Sequence, residues 1–268
     1  MTTIDLNLLQ TEPAEQYHAS AARYLTSHQL MDFMKCPWLH RKKQLGLVAD
    51  RDSQAYLLGR AAHCRILEGR DIYESQFAFG GPINPTTRRP FGQATKAFAE
   101  WAAVQGKPVL TQEQVELIEQ MAAGVAMNEA AVDLLLAGKA EGVVRASYGG
   151  LPCQARLDWV HPQRGLVDLK TCEDLTWFEA DARRFSYPHQ LAFYQALLAK
   201  AVAGECESVH IIAVEKREPF RCGVWRLSDN LLLAARRQNE AAIRRLRACQ
   251  QSDCWPTGHE EVRVLDTA

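Results

Sequence analysis

The chain has 268 residues, 47% of them hydrophobic and 24% charged, and a formal net charge of −1. This is enough apolar material for a large core, and the near-neutral balance excludes binding of nucleic acid by overall charge, so any such contact must be a local basic patch. No apolar run approaches the roughly 18 residues needed to span a bilayer, and the acidic start MTTIDLNLLQTEPAEQ lacks the basic end and apolar centre of an export signal, so a soluble cytoplasmic protein without membrane contact is expected.

Residues 17–48 read as a helical arm. Thr26 or Ser27 caps a helix that carries Leu30, Phe33, Met34 and Trp38 at helical spacing, with Pro37 ending or kinking its first piece. The arm closes on Arg41, Lys42 and Lys43, which are either a solvated basic end or a clamp on phosphates. A second helix, approximately Ser53–Glu68, sets Gly59 and His63 one turn apart on one face. Glycine inside a helix costs about 1 kcal/mol relative to alanine, a cost that close packing of another backbone element would justify. Residues 71–95, with the stretch FGGPINPTTRRPFG, read as a mobile, loop-rich insertion. Two helices follow, about Ala94–Gln105 and Thr111–Leu136, the second with Val115, Ile118, Met121 and Val125 at helical spacing.

Strand signals then take over. EGVVRASY leads through Gly149–Gly150 as a hairpin into LPCQARLDWV, and HPQRG breaks the chain before GLVDLKT. Alternation points Asp168 and Lys170 to one face and Leu169 to the other, while Asp158 lies in the preceding strand. Taken alone, D-x-K is common on the wet face of a sheet. Two acids among apolar residues on neighbouring strands, however, repel unless a cation lies between them, and a divalent metal would satisfy both. Arg156, two residues before Asp158, shares its side and either reaches a phosphate or offsets the acid. Beyond an acidic connector, a helix beginning near Pro188 places Gln190 and Tyr194 one turn apart. SVHIIAVEK and FRCGVWRLS extend the sheet, and a last helix over Asp229–Gln251 spreads its arginines over more than one face.

The ordered set G-x-x-x-H, Asp, D-L-K-T and Q-x-x-x-Y resembles the PD-(D/E)xK nuclease superfamily, specifically its RecB-like branch and within that the RecE-like and phage lambda-like exonucleases. The segment S-x-x-L-x-x-F-x-x-C-P at 27–37 is similar to the opening segment of the branch. The resemblance implies an α/β fold with a restriction-endonuclease-like central mixed β-sheet flanked by helices and an N-terminal helical arm. It forms one domain over 1–268, with the arm at 17–48 and the core at 53–255. It also implies that His63, Asp158, Asp168 and the main-chain carbonyl of Leu169 hold Mg²⁺ or Mn²⁺, two ions per active site. Lys170 would orient or deprotonate the attacking water, or stabilise charge at phosphorus. Gln190 and Tyr194 would position the substrate, and Arg41, Lys42, Arg156 and Gln190 would contact DNA. The implied activity is 5′ to 3′ degradation of linear double-stranded DNA from its ends by a homotrimeric ring, leaving 3′ overhangs for a single-strand annealing protein in recombination. Other RecB-like nucleases of CRISPR adaptation or repair, and a non-catalytic DNA-binding protein of the same fold, are the competing expectations.

Two departures are visible: the second carboxylate is Asp168 where many members carry Glu, and the net charge is low for a DNA enzyme. Eight cysteines without a C-x-x-C pair fit reduced thiols. Cys36, Cys249 and Cys254 only partly match the iron–sulfur ligands of some RecB-like nucleases, and no G-x-x-x-x-G-K-[ST] motif is present.

Overall fold

The chain is described by a computed structural model covering residues 3–49, 54–202, 206 and 208–264. Its first part forms α1 (Ala14–Ala19), α2 (Ser27–Lys35) and α3 (Pro37–Gln44). Thr26 and Gln29 cap α2 reciprocally, and extended backbone at Cys36 lets Pro37 begin α3, where a missing N–H costs no helical bond. α4 (Gln54–His63) runs directly into a π-helical stretch at Cys64–Glu68. The expected start at Ser53 lies outside the described residues. Next come α5 (Arg70–Gln76), β1 (Ala78–Phe79), α6 (Lys96–Ala103) and β2 (Val109–Leu110), with β1 and β2 paired in parallel. The expected loop at 71–95 therefore holds a helix and a strand as well, and buried Tyr73 anchors α5.

α7 (Gln112–Ala126) and α8 (Glu129–Leu135) replace the single helix expected over this stretch. Asn128 separates them: its side chain accepts the Ala131 N–H at 3.0 Å and donates to the Cys222 carbonyl at 2.8 Å, a cap held by a tertiary bond. The remaining elements are β3 (Lys139–Tyr148), β4 (Leu151–His161), β5 (Gly165–Cys172), α9 (Phe178–Arg184), α10 (Tyr187–Ala201), β6 (Val209–Glu215), β7 (Cys222–Arg226) and α11 (Asp229–Ser252).

The main sheet has the order β3-β4-β5-β6-β7, antiparallel throughout except for the parallel β5–β6 pair. The connection between those two strands is α9 and α10, so the sequence must cross one face of the sheet before it returns. Strand alternation feeds two cores. Leu166, Ile211 and Ala213 meet α2, α10 and α11 on one face, whereas Val167, Leu169, Ile212 and Val214 meet α4, α7 and α8 on the other. The N-terminal helices belong to the first core through Leu30 and Phe33, and Gln10 pairs with Val143 through both main-chain bonds, at 2.8 and 3.0 Å, which covers part of the exposed edge of β3. Among the described residues no helix is long and apolar enough to cross a membrane.

Candidate active site

β4 and β5 pair only from His161↔Gly165 to Trp159↔Val167 and then splay apart. In the gap the Asp158 carboxylate replaces a strand: its Oδ2 accepts the Leu169 N–H at 2.9 Å. The N–H and C=O of one strand residue point to the same edge, so the Leu169 carbonyl is directed to this gap as well. On the other side of Asp158, the hairpin register (Ala140↔Trp159 and Gly142↔Leu157) sets Glu141 opposite it. Glu141 is held at φ 54°, a left-handed conformation that costs a non-glycine residue about 1–2 kcal/mol and withdraws it from the ladder. His63, at the junction of α4 and the π-helical stretch, brings Nδ1 to 3.3 Å from Asp158 Oδ2. That junction is fixed from behind by Arg65, which grips Glu119 of α7 with two bonds of 2.8 Å. Ligand atoms of His63, Glu141 and Asp158 all lie within 4.8 Å of one another.

Asp168 and Lys170 stand beside this trio. The Lys170 ammonium lies 2.6 Å from Asp168 Oδ2, an ion pair that holds the fully buried Asp168 carboxylate. Burial, and then the charge of Lys170, depress the His63 pKa to about 4, so the imidazole is a neutral lone-pair donor at ordinary pH. Burial and then Asp158 raise Glu141 to about 8, and burial, opposed by Lys170, still raises Asp168 to about 6. Asp158 is raised by burial too, against Lys170 and the Leu169 N–H. For Lys170, burial is outweighed by Asp168 and Asp158 together, and the ammonium form is favoured. A neutral imidazole, three crowded carboxylates and a main-chain carbonyl fit a hard divalent cation.

The structure thus brings His63, Asp158, Leu169, Asp168 and Lys170 together. Gln190 and Tyr194 are both buried on α10, with the Gln190 amide donating to Tyr194 Oη at 2.9 Å; nearby Asp168 and Asp158 add to the burial that raises the phenol. Arg156 faces Glu141, Nε to Oε2 at 2.5 Å, diagonally across the hairpin. Arg41 lies 3.6 Å from Asp253 and over the Trp255 ring, and Lys42 covers Trp38. Among the described residues none lies close to where a Gly59 side chain would stand, so the expected backbone packing is not found there. Sequence reasoning missed Glu141 and Tyr187, whose ring lies 4.9 Å from the Lys170 ammonium. Counting the hairpin outward from Gly149–Gly150 pairs residue 141 with 158 and would have found the first. Among the described residues the only three-residue cluster able to hold a metal is His63, Glu141 and Asp158, and Cys36, Cys249 and Cys254 form no such group.

A family model described as a PDDEXK-like domain of unknown function (DUF3799) matches residues 26–268. The fold is similar to that of a candidate exonuclease from Eubacterium rectale, with a TM-score of 0.70 at 18% identity over 97% of each chain. A phage-related exonuclease from Haemophilus somnus 129PT aligns at a TM-score of 0.36 and 15% identity, over 72% of this chain and 94% of that one. No curated protein matches the sequence.

Proposed function

The chain belongs to the PDDEXK-like family, and from that premise we propose that it is a divalent-metal-dependent nuclease that cuts phosphodiester bonds of DNA. The observation that carries the reading is the convergence of His63, Glu141 and Asp158 within 4.8 Å, beside the Asp168–Lys170 pair. His63, Glu141, Asp158, Asp168 and the Leu169 carbonyl are the residues that would hold the metal, Mg²⁺ or Mn²⁺. Such ions, when bound, supply an activated water and positive charge for the scissile phosphate.

The protein's own groups do the rest. In the metal-free protein Asp168 and Asp158 favour the ammonium form of Lys170, and as an ammonium it would stabilise negative charge developing at phosphorus. Asp168 holds that ammonium in place, and the Tyr187 ring bounds its other side. Tyr194 fixes the Gln190 amide, which positions the substrate strand. Arg156 counters the Glu141 carboxylate, and with a cation held there it would be free to meet a phosphate.

The finer reading is an exonuclease that degrades linear duplex DNA 5′ to 3′ and leaves a 3′ overhang for an annealing partner in recombination. It is supported by the motif order shared with RecE-like and phage lambda-like exonucleases and by the fold shared with the Eubacterium rectale protein. Purified protein with Mg²⁺ should release nucleotides from linear duplex and leave a covalently closed circle intact. Duplexes labelled at either end should lose the 5′-terminal nucleotide first. Nicking of the circle would replace the exonuclease by an endonuclease, and no nucleotide release from any DNA would remove the nuclease assignment.

A further inference from the structure

Phe185 is 47% exposed and ends a file of rings and cations that begins inside the site. The Lys170 ammonium sits 4.9 Å from the Tyr187 ring centre; Tyr187 stacks on Phe185 at 5.9 Å with 29° between the planes; and the Arg184 guanidinium covers Phe185 at 5.4 Å. Tyr187 is held from within by buried Phe178 at 6.2 Å, whereas Phe185 has its free surface in solvent. The two rings are brought together by Ser186, at φ 60°, a left-handed conformation that residues with a side chain seldom adopt. Exposed phenylalanines are ordinary when isolated. This one is stacked onto a ring that touches the active-site lysine, and exposed Arg183 and Arg184 beside it make no ion pair among the described residues. A flat apolar face flanked by unpaired cations is the chemistry that receives an unstacked nucleobase with its phosphates.

We propose that Phe185 is a base-stacking residue for single-stranded DNA. Resting on the nuclease reading of the adjoining site, the inference is that the base neighbouring the scissile phosphate leaves its duplex stack and lies on Phe185. It displaces the Arg184 guanidinium, which moves with Arg183 to the flanking phosphates. A base inside a duplex has both faces covered by its stacking neighbours, so the base on Phe185 must have left the stack.

The test uses the whole protein, Ca²⁺ in place of Mg²⁺, and single-stranded oligonucleotides carrying 2-aminopurine at successive positions. One position should be quenched on binding. Phe185→Ala and Phe185→Leu should abolish that quenching and weaken binding about tenfold, while Phe185→Tyr keeps both, since the ring rather than apolar bulk is what counts. An abasic nucleotide at the quenched position should weaken the wild type by the same factor and leave Phe185→Ala unaffected. Quenching that is absent or independent of position, a leucine variant that binds like the wild type, or an abasic penalty that persists in Phe185→Ala would each overturn the proposal. Hydrolysis of linear duplex in Mg²⁺ is scored separately, so that stacking without hydrolysis would overturn the nuclease reading and leave Phe185 as a base-stacking residue of a DNA-binding protein.

Discussion

The Leu169 main-chain N–H donates to Asp158 Oδ2 at 2.9 Å, in the place where the β4–β5 ladder would otherwise continue. One carboxylate thus stands at the mouth of the site and satisfies a strand end that has lost its partner.

Those two tasks can be separated. Asp158→Asn retains an oxygen for the Leu169 N–H and should melt close to the wild type while losing most of its metal affinity. Asp158→Ala strands a buried donor and should cost about 1–3 kcal/mol of stability besides. Thermal melts and calorimetric metal titration of both variants check this; unchanged metal affinity in the asparagine variant would remove Asp158 from the ligand set.

Lys170 calls for the opposite result. Lys170→Ala should lower the cleavage rate by roughly 10²–10³, as removal of a charge-stabilising group does, while metal and DNA still bind. Loss of metal equal to that in Asp158→Ala would refute the separate roles.

Much of this geometry could be read from the sequence because it depends on short-range periodicity. Strand alternation put Asp168 and Lys170 on one face, and their 2.6 Å contact follows from it. The double glycine marked the hairpin, and helical spacing joined Gln190 to Tyr194. Glu141 was not read because its role depends on register across a hairpin and on a left-handed backbone that no local propensity announces. The break at Asn128 was hidden for a related reason: apolar periodicity continues through it, and the bond that stops the helix goes to Cys222, far along the chain. α5 was obscured by the Pro- and Gly-rich stretch that follows it, although buried Tyr73 gives it an anchor in the core.

Retention of DNA leads to a prediction about assembly. Several cations that could form a basic groove are already engaged in this chain, Arg41 with Asp253, Arg145 with Glu12, Arg156 with Glu141 and Arg236 with Glu240. Phosphate-based affinity also falls steeply with salt. A closed ring would hold DNA without it, and the homotrimer that the resemblance to lambda-like exonucleases implies would supply one. Analytical ultracentrifugation should give the mass of three chains, and long tracts should be degraded per encounter after trap DNA is added. A monomer that is fully active yet releases DNA after a few nucleotides would rule the ring out.

Metal and proton should compete at Glu141. Its pKa lies near 8, against an ordinary value of 4.5, so the metal-free folded protein keeps a proton there that the unfolded chain has lost, and stability falls as pH rises from 4.5 through 8. Asp168, at about 6, acts in the same sense but is complete by then. His63, at about 4, acts in the opposite sense, adding stability between pH 4 and 6.5 and nothing above. Glu141 and Asp158, facing carboxylates both raised by burial, therefore set the slope above pH 6.5 as a pair, and melting in chelator should reveal a loss on the order of 1–2 kcal/mol from pH 6.5 to 8. Glu141→Gln should flatten that slope and weaken metal binding. Saturating Mg²⁺ or Mn²⁺ should flatten it in the wild type, and the same metals should be required for cleavage, with Ca²⁺ failing to support it because its looser coordination positions water poorly. A wild-type slope that survives unchanged in Glu141→Gln would show that this carboxylate is not the one that titrates.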